Sequence, residues 1–364
     1  MSEIKKLAEV LTGYSVNIKK GHEVAIFSKI GGLPLVEEIY SQIMKRGAHP
    51  SVILSTERLE DIFMNNASEV QLTHVSPLRK FMWENTDVFI NVWADANMKN
   101  FSNVVPERLK KRSASQRSLT ELFLGREAEG KLQWTLGAYP TDAMAQEAQM
   151  SYFEYRDFVY SSCLVDRENP IDEWKKISKD QEHIADFLNK AKIVRFTGED
   201  TDLTVRTEGR NWINCDGKKN MPDGEVFTGP IEGSAEGKIR FTYPGIYQGK
   251  EVEDIRLFFE KGKVIRAEAS KGEDLLKQMI AADEGASRIG EISVGTNPGI
   301  TRFTKNMLFD EKMGGTMHLA LGFSIPESGG KNISAIHWDI LKDMKNGEIY
   351  ADDVLFFKDG KFLI

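Results

Sequence analysis

An α/β domain followed by a strand-rich α+β domain is the fold class that this 364-residue sequence predicts. Three observations predict it. The first half alternates strand-like and helix-like runs, a helical stretch with an Asn-Pro breaker follows, and after residue 193 the chain turns to short β-branched and aromatic runs punctuated by Gly, Asp and Asn. With 41% apolar and 10% aromatic residues the chain can bury a large core, and it is longer than one average domain. This reading sets an N-terminal domain at 1–165, a helical connection at 166–192 and a C-terminal domain at 193–364.

Residues 3–15 read as a helix. "HEVAIFS" (22–28), "PLVEEIYSQIMKRGA" (34–48) and "PSVIL" (50–54) then make a strand, helix, strand unit, which implies a parallel pair joined by a crossover helix. "TDVFINVWA" (86–94) and "KLQWTLGAYP" (131–140) are further strands, separated by the charged helical stretch around "ERLKKRSASQRSLTELFLG". No G-x-G-x-x-G follows the first strand and "KIGGLP" is only a turn, so no dinucleotide site is expected. From 141 to 192 the pattern is helical, and beyond it "IVRFTG", "TDLTVRT", "KIRFTYPG" and "DDVLFFKDGKFLI" are short strands. "EKGK" and "KDGK" read as hairpin turns, where glycine supplies a positive φ without steric cost.

Composition removes several function classes. The 48 basic and 55 acidic residues give a net charge of −7 with no long basic run, which argues against a nucleic-acid partner. The opening "MSEIKKLAEV" has no apolar signal core, and no apolar run approaches the roughly 18–20 residues that cross a bilayer, so a cytoplasmic protein with no membrane partner is expected. Only Cys163 and Cys215 occur, too few for a thiolate zinc site. Any bound metal must then be held by His, Asp and Glu.

The segment "SAIHWDI" spaces a histidine and an aspartate at i and i+2, so on a strand His337 and Asp339 project from one face. A neutral imidazole and a carboxylate together make half of a metal site, although the same pair also reads as a histidine hydrogen-bonded to its neighbour. His318 sits among apolar residues in "TMHLALG", where a packed core histidine is the competing reading. Three acidic segments keep it company: Glu225 in "NMPDGEVFTGP", Glu291 in "RIGEISVG" and Asp310-Glu311 in "FDEK". Carboxylates within apolar strands are costly unless paired or bound to a cation. Glu225 also reads as a residue of an exposed Asp-Gly turn, and Glu291 as an exposed strand end. Together they supply the donor count of a two-metal hydrolytic site.

These motifs, in this order, resemble the aminopeptidase T and aminopeptidase S type of dinuclear metallo-aminopeptidases. The likeness extends through "LAEVLTGYSVNIKKGHEVAI" and "PTDAMAQEAQMSYFEYRDFV", and so spans nearly the whole chain. By matching position it implies Glu225, Glu291, Glu311, His318, His337 and Asp339 as ligands of two divalent metal ions, zinc or cobalt, with manganese as an alternative. It further implies an N-terminal α/β domain with a C-terminal metal-binding domain, a homodimer, and a peptide substrate shortened from its N-terminus. Two departures stand out. Family members carry a tyrosine seven residues after the histidine of H-x-A-L-G, where this chain has Ile325, and the spacing from Glu311 to His318 is about two residues longer through "KMGGTM". The loss of that phenol keeps a weakly active or non-enzymatic family member as one alternative. A related branch that resembles mononuclear iron ring-cleaving dioxygenases is the other.

Overall fold

The computed structural model describes residues 1–247 and 249–364. It divides into two compact units, Met1–Ile171 with Gly217–Pro222, and Asp172–Asp216 with Asp223–Ile364.

The first unit is built on a five-stranded sheet in the order His49–Ser55, Glu23–Lys29, Val88–Trp93, Gln133–Ala138 and Asn220–Met221. All its neighbours pair in parallel, as crossover helices require. The helix Leu33–Lys45 buries Leu35, Val36, Ile39 and Ile43, an i, i+4, i+8 stripe that packs the crossover onto the sheet. The stretch from 57 to 85, to which the sequence assigned no element, holds the helices Glu57–Asn66, Glu69–Thr73 and Pro77–Asn85. Each begins at a side-chain cap, from Thr56, Ser68 and Ser76 respectively.

The second unit contains two larger antiparallel sheets. One has eight strands, in the order Lys263–Glu268, Arg256–Glu260, Glu236–Arg240, Thr201–Arg206, Ile193–Gly198, Glu348–Ala351, Val354–Lys358 and Lys361–Phe362. The other runs His337–Asp343, Thr316–Gly322, Ile289–Gly295, Glu225–Thr228 and Ile213–Cys215. Both hairpin turns form as read: Lys261 and Gly262 have φ of 49° and 76°, and Asp359 and Gly360 have φ of 50° and 78°.

Strand alternation sends Val226, Ile292, Val294, Leu319, Leu321 and Ile340 of the five-stranded sheet into a core shared with Val194, Phe196 and Leu203 of the eight-stranded one. The helix Pro170–Leu188 adds Ile184, Ala185 and Leu188 to the same core. Burying each such aliphatic side chain stabilises by ~1.5–3 kcal/mol, so the register of the five-stranded sheet is fixed by its apolar face. The other face is then free to carry chemistry.

Candidate metal centre

On that other face the register aligns acidic and imidazole side chains over small ones. Glu225 lies opposite Gly295, His318 opposite Ser293, both Glu291 and Asp339 opposite Ala320, and His337 opposite Gly322. Because Gly295, Ser293, Ala320 and Gly322 are small, the long side chains beside them can converge.

Two glycines make the approach possible. A Cβ on Gly290 would lie 2.3 Å from the Phe323 carbonyl oxygen, and the strand register slips at this point, a bulge that re-aims the adjacent Glu291. Gly224 has φ of +123°, and a Cβ there would meet Asn297 Cβ at 2.7 Å, so only glycine can deliver Glu225 to its strand. Glu311 arrives from outside the sheet, directly after the short helix Met307–Asp310.

His318 is the centre of the cluster and is fully buried. Its Nε2 stands 3.1 Å from Glu291 Oε1, 3.3 Å from Glu225 Oε2 and 4.0 Å from Asp339 Oδ1. His337 Nε2 is 3.4 Å from Asp339 Oδ1 and 3.7 Å from Glu291 Oε2. Its side chain keeps 29% exposure, the most of the six, and so marks the open end of the cluster. Donor atoms of Glu225, Glu291 and His318, of Glu291, His337 and Asp339, and of Glu311, His318 and Asp339 form three overlapping groups, each within 4.8 Å. All six residues expected from the sequence thus stand together.

The other nitrogen of each ring faces a backbone carbonyl. His318 Nδ1 lies 3.0 Å from the Glu311 oxygen and His337 Nδ1 2.7 Å from the Phe323 oxygen. A carbonyl only accepts, so each Nδ1 carries the hydrogen and, in the neutral ring, each Nε2 presents a lone pair to the carboxylates. Lone pair and anion cannot rest against one another at 3.1–3.4 Å without something positive between them. Glu291 Oε2 and Asp339 Oδ1 are moreover buried and accept no hydrogen bond. Unpartnered buried carboxylate oxygens beside imidazole nitrogens fixed through their far side could serve as the donor set of a divalent cation.

Electrostatics agree. Burial pushes the carboxyls of Glu225, Glu291 and Glu311 upward, opposed by Lys312 at Glu225 and Glu311 and by His318 at Glu291. Burial would lower His318, but its hydrogen bond with Glu291 and the charges of Glu225 and Asp339 outweigh this and raise it to about 9. His337 is also lowered by burial, yet Asp339 carries it up to about 10. Burial raises Asp339, and the His337 charge more than reverses that, to about 2. Without a cation the cluster therefore balances its carboxylates by holding protons on its rings.

Several neighbours escaped the sequence reading. Lys312 is fully buried, with its ammonium on Glu311 Oε1 and 3.6 Å from Glu225 Oε1. Ser293 Oγ donates to Glu225 Oε2 at 2.9 Å. The only hint of either was position beside a ligand motif. Asp310 does not join the cluster: its Oδ1 accepts from the Thr304 backbone N–H at 2.7 Å and Oγ at 2.8 Å, and burial holds it at about 7. Tyr243 stacks on Phe303 at 5.0 Å, and Arg240 is paired with Asp254 and Glu199. Ile325 is half-buried and follows the residues that frame the open end: Phe323 O accepts from His337, and Ser324 Oγ donates to the Gly290 oxygen at 2.8 Å.

Comparison with known proteins gives the frame for this geometry. The chain is 26% identical to aminopeptidase PepS of Streptococcus thermophilus, over 99% of this chain and 98% of that protein. It is 27% identical to aminopeptidase T of Thermus aquaticus, over 89% and 85% respectively. The solved structure of wild-type AmpT from Thermus thermophilus superposes with a TM-score of 0.86 at 23% identity, covering 100% of this chain and 99% of that one, so the two share a fold. No helix among the described residues is long and apolar enough to cross a membrane. The family model of the thermophilic metalloproteases (M29) matches residues 1–362, and the chain belongs to that family of metal-dependent hydrolases.

Proposed function

We propose that this chain is an aminopeptidase that removes N-terminal residues from peptides, and that Glu225, Glu291, Glu311, His318, His337 and Asp339 hold two divalent cations. One observation carries the metal reading: both histidines spend Nδ1 on a backbone carbonyl and turn Nε2 onto buried carboxylates, two of whose oxygens have no other partner. Once both rings are neutral, four carboxylates against the single ammonium of Lys312 leave an excess of negative charge, which supports two divalent cations over one. The mixed imidazole and carboxylate shell suits zinc or cobalt, with manganese as the alternative. When bound, such cations supply Lewis acidity to a scissile carbonyl and bring a water's pKa near neutrality.

The chain's own residues set the geometry of that chemistry. Ser293 fixes the Glu225 carboxylate by donating to Oε2, and the Glu311 and Phe323 carbonyls hold the two rings in the tautomer that ligates. The exposed edge of His337 is the side from which a peptide can enter. The relatives named aminopeptidases support an exopeptidase, and the metalloprotease match over residues 1–362 favours neither an iron dioxygenase nor a non-enzymatic protein. A cytoplasmic homodimer completes the reading, resting on the family likeness and the scarcity of cysteine.

Paired peptides test the exopeptidase assignment. A peptide with a free α-amino group should be trimmed stepwise, and its N-acetylated twin, whose amide nitrogen is a poor ligand, should resist. Equal turnover of the two would reject it in favour of an endopeptidase.

A further inference from the structure

The cluster is not symmetric in charge. Lys312 sits wholly inside it, in contact with Glu311 Oε1 and 3.6 Å from Glu225 Oε1. Its backbone is anchored at both ends, the N–H donating to Phe309 O at 3.0 Å and the carbonyl accepting from Asn297 N at 3.0 Å. The ammonium therefore has no route to solvent short of moving that segment. At the opposite side, Glu291 Oε2 and Asp339 Oδ1 face His337 Nε2 at 3.7 and 3.4 Å and accept no hydrogen bond. One half of the donor set is free of any fixed positive charge, and the other already holds one.

We propose that Lys312 is a built-in cation that makes the two metal positions unequal. A divalent ion held by Glu291, His337 and Asp339 binds tightly. One held through His318 together with Glu225 or Glu311 binds at least about tenfold more weakly, because each of those two carboxylates also faces an ammonium a few ångströms away, in surroundings that screen little. The inference rests on the two-metal reading above and adds a consequence to it: the fully loaded form is reached only when free metal is abundant, so metal supply grades the enzyme. The same lysine supplies part of the metal-poor protein's internal counter-charge, since removing it would leave Glu225 and Glu311 with the His318 ring alone as a buried cationic partner.

The test is a cobalt(II) titration of chelator-stripped protein, followed by visible absorption and by metal analysis after equilibrium dialysis, for wild type, Lys312→Met and Lys312→Arg. Far-UV circular dichroism checks that each is folded, and Lys312→Gln replaces the methionine variant should that one not fold. The wild type should fill in two steps separated by about tenfold or more in free cobalt, or ~1.4 kcal/mol. Lys312→Met should close most of the gap by tightening the weaker step, and Lys312→Arg, which keeps the charge, should preserve it. Two equal steps in the wild type, or a gap unchanged or widened in Lys312→Met, would overturn the role of Lys312 and leave the two-metal reading standing. No more than one cobalt in both wild type and Lys312→Met would overturn the two-metal reading itself, and this inference with it.

Discussion

His318 Nε2 stands 3.1 Å from Glu291 Oε1 although the two residues are 27 positions apart, on neighbouring strands whose register sets them one diagonal step from each other. With its Nδ1 committed to the Glu311 carbonyl, this imidazole meets the carboxylate through a shared proton or a shared cation. The pair at His337 and Asp339, 3.4 Å apart, repeats the arrangement at the open end.

The first expected outcome concerns that open end. His337→Ala and Asp339→Ala should each lower metal affinity by more than the ~10–100-fold that removal of a ligand's hydrogen-bond partner costs, with activity falling in parallel. Metal analysis of the purified variants checks this. Full retention of metal in either one excludes that residue as a ligand.

Ser293→Ala should show the smaller effect. It removes the 2.9 Å hydrogen bond to Glu225 Oε2 without removing a ligand, so metal affinity should fall by roughly 10–100-fold and Ser293→Thr should recover part of it. Unaltered affinity in the alanine variant would show that Glu225 needs no such orientation.

Stability should depend on pH differently with and without metal. His318 and His337 are raised in the folded chain to about 9 and about 10, so their contribution is fully present below their ordinary value near 6.5 and disappears as pH rises through the folded values. Asp339, held at about 2, works in the opposite sense and matters only in acid. Chelator-treated protein should therefore lose melting temperature between pH 6.5 and about 10, by roughly 2–4 °C for each kcal/mol lost. Metal-loaded protein should melt higher and change less across that window, because the cation replaces the protons. Scanning calorimetry of both forms decides it, and coincident curves would count against a metal at this site.

Ile325 leads to a kinetic expectation. The family resemblance read from the sequence implies a tyrosine at this position, and one hydrogen-bond donor to a developing oxyanion is worth about 10²–10³ in rate. Peptide turnover by the wild type should accordingly be slow, and Ile325→Tyr should raise kcat more than it changes KM, since an interaction made in the transition state appears in kcat. Ile325→Phe, which adds the ring without the hydroxyl, should gain little. A rapid wild type slowed by tyrosine would show that another group already fills that role.

The sequence by itself determined the parts that depend on local physics. The parallel strand, helix, strand unit at 22–54, both hairpins with their positive-φ residues, and the i, i+2 pairing of His337 with Asp339 all follow from periodicity and turn chemistry within a few residues. Polar groups out of place in apolar stretches marked His318, Glu225 and Glu291 as candidates, while the set of six was implied only by the family resemblance. Tertiary structure alone decided the rest. Which strands lie side by side, and hence that Glu225, Glu291 and His318 meet on one face, is set by burying the opposite apolar face, a sum over contacts no short window contains. That Asn220–Met221 pairs with Gln133–Ala138, that Glu311 rather than Asp310 turns to the cluster, and that Lys312 is enclosed within it are decisions of the same kind. A lysine after an Asp-Glu pair reads in sequence as a solvated charge, and only the packing of the surrounding chain takes the water away.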